Sequence, residues 1–380
     1  MSEIPTCPNE VTKEWLNATL KEIFTVEKIE IVYFEKVQQT EGFTSGAFKA
    51  RAKTSGNEIN FFIKSITDHK DPSRYYMEEF YLDHVEILAY KEILPKLIEF
   101  EKSNRNGKSR LELTLPTFYG GNCCLESQNR GSYVIMEDLS LNFHTFQGEK
   151  GLSYEQTCSV LDQIAALHTI SYAFLQKQPE AFSQLDIKSY HEKVFSDKLF
   201  ENHLLQMPQT IKSITDMQPE FEKPLKNIAK KYKMVYQDVF FTGERRFIIH
   251  GDLWLNNIMF SPHKGCKIID WQFCTQSHPS MDFALFLCSS VKHENMVEWL
   301  DQLVAHYLQK VTDICEEIKI DGPFSKEEFT KSTQKFGIMR AVFFLVLMAF
   351  ENVSQFPGMA DRALGALKLA IDWNPAYFSD

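Results

Sequence analysis

Residues 249–260 read Ile249-His250-Gly251-Asp252-Leu253-Trp254-Leu255-Asn256-Asn257-Ile258-Met259-Phe260. Soon after comes Ile268-Ile269-Asp270-Trp271-Gln272. The first stretch has the form H-G-D-x-x-x-x-N, with Asp252 and Asn257 five positions apart. Phe247–Ile249 and Lys267–Ile269 are short apolar strand candidates on either side of the loop, and Asp270 sits at the end of the second. An isolated H-G-D is an ordinary turn with a capping aspartate. That reading leaves Asn257, the flanking strands and the second aspartate unexplained.

Phosphoryl transfer explains these residue types. Little covalent chemistry falls to a protein that transfers a phosphoryl group. It aligns a hydroxyl with the phosphate and neutralises charge on the phosphate oxygens. A carboxylate beside the acceptor hydroxyl orients it and takes its proton, a role that suits Asp252. An amide oxygen and a second carboxylate suit Mg²⁺, a hard ion that prefers oxygen ligands. Asn257 and Asp270 have those groups. Asn256 competes with its neighbour, and the five-residue spacing favours Asn257.

Working outward, the first third of the chain reads as sheet. Residues 10–30 have helical spacing, and Lys28–Gln38 and Phe43–Lys53 are strand candidates. Glu58–Ile66 alternates, with Ile59, Phe61 and Ile63 on one side. Tyr75–Glu99 reads as a helix interrupted near Pro95, and Glu101–Arg110 as a polar loop. Leu113–Tyr119 and Tyr133–Met136 read as further strands. Beyond residue 140 the pattern is helical, with Val160, Leu161, Ile164, Ala165 and His168 on one helix. Sheet followed by helices predicts an α+β fold of two lobes. The expected division is a nucleotide-binding lobe over 1–138 and a catalytic and acceptor-binding lobe over 139–380.

H-G-D-L-W-x-N-N-I-M-F followed by D-W-Q resembles the ecdysteroid kinase-like family (CHK-type kinases). This family lies in the choline kinase and aminoglycoside phosphotransferase branch of the protein-kinase-like fold. The resemblance implies a β-rich N-lobe, a mainly helical C-lobe, ATP and Mg²⁺. It implies that Lys64, in Phe61-Phe62-Ile63-Lys64, contacts the phosphates. Glu86 would pair with Lys64, with Glu78, Glu79 and Glu92 as rivals. Glu41-Gly42-Phe43-Thr44-Ser45-Gly46-Ala47-Phe48 resembles the phosphate-covering turn, where backbone N–H groups of Gly42, Ser45 and Gly46 would face the nucleotide; an ordinary hairpin is the alternative. Tyr133–Leu139 resembles the strand between the lobes, with backbone groups of Glu137 and Leu139 on the adenine. Asp138 would cap the next segment or lie beside the base. His250 would brace the catalytic loop. Asp282 would hold that loop's backbone, cap its own helix, or both. His168 reads as a packed helix histidine.

Composition narrows the partners. A net charge of −10 argues against nucleic acid and anionic membranes. The apolar run Ala341–Phe350 is too short to span a bilayer and fits a buried helix. Met1–Pro5 has no leader character, and eight irregularly spaced cysteines suit a reducing compartment, so a cytoplasmic location is expected. No obligate protein partner is evident. The acceptor is expected to be a small-molecule alcohol. The 31 phenylalanines, among them Phe336, Phe343, Phe344, Phe350 and Phe356, together with Trp373, read as core, and an aromatic pocket would suit a lipophilic one. The resemblance implies an ecdysteroid-like steroid or xenobiotic. The alternatives are a choline- or ethanolamine-type kinase and a nucleotide-binding pseudokinase. Asp270-Trp271-Gln272 in place of D-F-G argues against protein kinase activity.

Overall fold

The structure is a computed structural model, and it describes residues 2–37, 45–54, 57–71, 73–126, 130–146, 151–185, 205–206, 221–241, 247–343, 345 and 359–379. Five antiparallel strands form the first lobe: β1 (Glu30–Lys36), β2 (Ser45–Thr54), β3 (Asn57–Ile66), β4 (Phe118–Cys124) and β5 (Gly131–Glu137). Their order is β1-β2-β3-β5-β4. Alternation along each strand sorts the side chains onto two faces. Phe48, Ala50 and Ala52 of β2 share a face with Phe61 and Ile63 of β3 and Ile135 of β5. Leu16 and Leu20 of the helix α1 (Lys13–Phe24) bury that face. Each such fully buried side chain contributes about 1.5–3 kcal/mol. Thr12 caps α1 by accepting from the Trp15 N–H, and the left-handed Thr25 ends it. The opposite face, which carries Lys64, Val134 and Met136, turns toward the helices.

Gly46 is a strand residue opposite Ser65, on the face that α1 covers. A Cβ there would lie 2.7 Å from both the Pro8 Cγ and the Ser65 Oγ. Its missing side chain therefore lets the N-terminal segment cross the sheet. Ser45 begins β2 opposite Ile66, and Gly42 lies outside the described residues.

Three other local expectations are corrected. The helix over 75–99 is not broken at Pro95. It kinks at Tyr81 (φ 53°), between α2 (Ser73–Phe80) and α3 (Leu82–Leu88). A π-helical turn, Ala89–Ile93, then leads into α4 (Leu94–Asn104), where Pro95 stands in the first turn. The helix runs on through the proline because the π turn is continuous with α4: Ile93 is itself right-handed helical, and the Leu94 N–H donates to the Ala89 carbonyl. The polar stretch 101–110 begins as helix, because the buried Glu101 carboxylate gathers Arg105, the Ser109 hydroxyl and the Arg110 and Leu111 N–H groups. The strand expected at 113–119 starts at Phe118, after the short helix Leu111–Thr114, and runs on through Gly120 and Gly121. Those glycines conceal the strand in sequence, yet each has a packing reason. A Cβ would meet the Ile23 side chain at 2.7 Å at Gly120 and the Tyr133 carbonyl at 2.9 Å at Gly121.

The second lobe is mainly helical. The long helix Tyr154–Lys177 opens with a capping box between Ser153 and Gln156 and is buried over most of its length. It packs against the helix His293–Ile318. Small sheets flank the H-G-D loop: β7 (Phe247–Ile249) pairs with β10 (Thr275–Ser277), and β8 (Ile258–Ser261) lies between β6 (His144–Thr145) and β9 (Gly265–Ile268). The abundant aromatic rings serve the core. Phe329 sits 4.8–5.2 Å from the rings of Tyr307, Phe324 and Phe283. Phe343 is fully buried, and Phe336 and Trp373 pack against the same core. Phe344, Phe350 and Phe356 lie outside the described residues. Among the described residues no helix is long and apolar enough to cross a membrane.

Candidate active site

The loop after β7 is shaped by one glycine and one buried aspartate. Gly251 has φ 81°, a conformation that glycine adopts without Cβ strain. Asp282, in the first turn of the helix Ser280–Ser290, reaches back to the loop. Its Oδ2 accepts the His250 N–H at 2.7 Å and its Oδ1 the Gly251 N–H at 2.9 Å. His168 Nε2 lies 3.3 Å from the same carboxylate, and its Nδ1 lies 2.9 Å from the Tyr307 hydroxyl. Burial alone would raise the Asp282 pKa, but the His168 hydrogen bond and charge, His250 and the Gly251 N–H hold it below the usual value. Asp282 thus binds the loop backbone and makes no side-chain cap on its own helix. His168 is packed, as its helical spacing implies, and its polar partners tie it to the loop's anchor.

His250 Nδ1 accepts the Asp252 N–H at 3.3 Å, so Nε2 carries the proton and donates to the Ile269 carbonyl at 2.9 Å. Its ring lies 4.8 Å from that of Trp271. Burial lowers its pKa, which keeps it neutral. The histidine therefore joins the H-G-D loop to the segment that carries Asp270.

Asp252 is only 6% exposed. Asn257 Nδ2 donates to its Oδ2 at 2.9 Å and to its carbonyl at 2.8 Å. Both amide hydrogens of Asn257 are thereby engaged, and its oxygen is the group left to meet a cation. Burial and the charge of Asp270 push Asp252 up to about 7, against the opposing pull of Arg340 and the Asn257 hydrogen bond.

Asp270 has φ 67°, and the preceding Ile269 N–H donates to the Asn257 carbonyl at 3.0 Å. Its Oδ1 accepts Lys64 Nζ at 2.7 Å. The same Nζ lies 2.9 Å from both oxygens of Glu86. Burial works against the Lys64 charge, but Asp270 and Glu86 outweigh it and raise the lysine's pKa. Burial and Asp270 push Glu86 up, and Lys64 pulls it back. Of the rival glutamates, Glu78 pairs with Arg74, and Glu79 and Glu92 face outward. Lys64, Glu86 and Asp270 thus form one polar cluster across the two lobes, and the backbone bond from Ile269 to Asn257 ties it to the Asn257–Asp252 pair.

Glu137 and Leu139 lie at the lobe junction, three and five residues past the Val134 that faces Lys64. The Glu137 N–H donates to the Thr117 carbonyl at 2.8 Å, and the Leu139 carbonyl accepts from Asn142 and Phe143. Contacts to a base there would fall to the Glu137 carbonyl and the Leu139 N–H. Asp138 Oδ1 accepts the Ser140 N–H at 3.0 Å and caps the following turn.

Sequence reasoning missed Arg340. It stands at 4% exposure in the helical stretch 338–343, and its Nη2 donates to the Gly251 carbonyl at 2.5 Å. A signal was available. A lone cation inside Ile338-Met339-Arg340-Ala341-Val342-Phe343 has to find a buried partner.

Comparison with solved structures places the fold. A choline kinase from Cryptosporidium parvum Iowa II aligns with a TM-score of 0.50 at 11% identity, over 96% of each chain. A spectinomycin phosphotransferase, solved with ADP and spectinomycin, aligns with a TM-score of 0.46 at 12% identity, over 96% of this chain and 98% of that one. No curated relative matches the sequence. At such identities the likeness to the choline kinase speaks for a two-lobed protein-kinase-like fold. Family is decided on sequence: the model of the ecdysteroid kinase-like family matches residues 39–320, and the chain belongs to that family.

Proposed function

We propose that the protein transfers the γ-phosphate of ATP to a hydroxyl of a small lipophilic alcohol, of the ecdysteroid-like or xenobiotic kind. Family membership supports the small-molecule kinase class. The observation that carries the reading is the shared lysine. Lys64 is held by Glu86 from one lobe and Asp270 from the other, and Asn257 orients Asp252.

In this mechanism Lys64 binds the α- and β-phosphates and Glu86 fixes its position. The Glu137 carbonyl and the Leu139 N–H hold the adenine. Backbone groups of Ser45 and Gly46, where β2 begins, cover the phosphates. The Asn257 oxygen and the Asp270 carboxylate fit a hard divalent cation, because both are oxygen donors and the Asn257 nitrogen is already engaged. Held by these two oxygens, Mg²⁺ would supply positive charge against the phosphate oxygens. Asp252 orients the acceptor hydroxyl and accepts its proton as the oxygen attacks phosphorus. A carboxylate pushed up to about 7 is matched to that task at neutral pH.

The test is transfer from Mg-ATP to a panel of sterols, amino alcohols and xenobiotic glycosides, followed by mass spectrometry. A phosphorylated sterol or xenobiotic is expected. Transfer to choline alone would reassign the acceptor, and tight ATP binding without transfer would make the protein a pseudokinase. Lys64→Met should lower kcat/KM for ATP about 100-fold, the scale of one lost charge-stabilising donor. Steady-state kinetics at varied ATP check this, and an unchanged kcat/KM would remove Lys64 from the phosphate site.

A further inference from the structure

We propose that Arg340 is a positioning residue for the catalytic loop, reaching it from outside the segment that defines the family. The family match ends at residue 320, whereas Arg340 lies twenty positions beyond it. Its guanidinium donates to the carbonyl of Gly251, the residue just before Asp252. The N–H of the same glycine is held by Asp282. Gly251 is therefore gripped at both of its peptide groups, by an anion at the N–H and by a cation at the carbonyl. Glycine is the residue with the most backbone freedom, so the direction of the Asp252 side chain depends on these two grips. Arg340 also brings positive charge to a region holding the carboxylates of Asp252, Asp270 and Asp282.

The local chain geometry delivers the guanidinium. The helix Lys326–Ser332 passes into a π-helical turn, Thr333–Gly337, and then into 338–343. A Cβ on Gly337 would lie 2.4 Å from the Ser280 carbonyl, so the two backbones meet at the closest approach a residue allows. Arg340 stands three residues on, on the same helical face. Ser280 opens the helix that carries Asp282. One close approach thus sets both grips relative to each other. A π turn at such a place is in keeping with the frequent use of these turns at functional sites.

The inference rests on the kinase reading, because its effect is seen through turnover. The experiment measures phosphate release from Mg-ATP by the full chain, together with thermal melting. Arg340→Met should lower kcat about 100-fold, the scale of a displaced catalytic group, with KM for ATP within about twofold of wild type. Arg340→Lys should recover about tenfold of that loss, since it keeps the charge but not the planar fork. Arg362→Met is the control. Arg362 is 5% exposed and donates to the Ser289 carbonyl at 3.1 Å, the same kind of buried bond away from the loop. It should lower the melting temperature and leave kcat within about twofold of wild type, as expected for a contact that serves stability alone. An Arg340→Met kcat equal to wild type, or an Arg362→Met kcat that falls as far, overturns the inference. If Arg340→Met does not fold, Arg340→Lys decides, and wild-type kcat there overturns it. Wild-type protein that neither hydrolyses ATP nor phosphorylates any acceptor overturns the kinase reading and this inference together. Wild-type turnover that is lost in Asp252→Asn but kept in Arg340→Met overturns this inference alone.

Discussion

Asp252→Asn should lower kcat about 1,000-fold, the middle of the range for a lost general base, while ATP still binds. The same variant should be more stable than wild type at neutral pH. Asp252 is held near 7, whereas an exposed aspartate titrates near 3.8. The native state therefore binds more protons than the unfolded state between about pH 4 and 7, and wild-type stability falls as pH rises through that window. The loss is on the order of 4 kcal/mol when complete. Asparagine does not titrate and escapes it. Melting curves without nucleotide or divalent cation should coincide near pH 4 and separate by several degrees at pH 8, with the variant higher. Equal melting at pH 8 would show that the carboxylate's burial carries no cost, and near-normal turnover would remove Asp252 as the base.

Asp282→Ala should be the most destabilising single change in the loop region, at about 3–5 kcal/mol, the scale for removing one partner of a buried charged pair. The His250 and Gly251 N–H groups and His168 would all lose the same acceptor. Urea denaturation would report the loss as a lower midpoint with little change in slope. Asp282→Asn keeps one oxygen acceptor and should fall between the two. A midpoint for Asp282→Ala within experimental scatter of wild type would mean that the loop is held by other contacts. The two aspartates have opposite effects on stability for one reason. Asp282 is satisfied by donors, whereas Asp252 is buried beside another carboxylate.

What the sequence revealed and what it concealed follow from the range of the interactions. Asp252 and Asn257 lie in one loop, so their relation is a spacing. Asp270 lies one hairpin later. The alternation of Ile59, Phe61 and Ile63 announces β3, and with it the face that Lys64 occupies. The Lys64–Glu86 pair needed the family resemblance, because four glutamates stand at comparable distances along the chain. Arg340 meets a loop nearly ninety positions earlier, and no local pattern encodes that contact. Glu101 reads as part of a polar loop because burial, not composition, decides its role. Gly120 and Gly121 mask a strand whose glycines exist to admit Ile23 and the β5 backbone. The turn around Gly42 and much of the aromatic C-terminal region fall outside the described residues, so the phosphate cover and the acceptor site rest on the resemblance.

The chain from Tyr307 through His168 to Asp282 joins three helices at one carboxylate. Residues in one hydrogen-bond network couple energetically, so the costs of substitutions at these three positions should not add. Residues outside these contacts can vary while the loop's anchorage stays fixed.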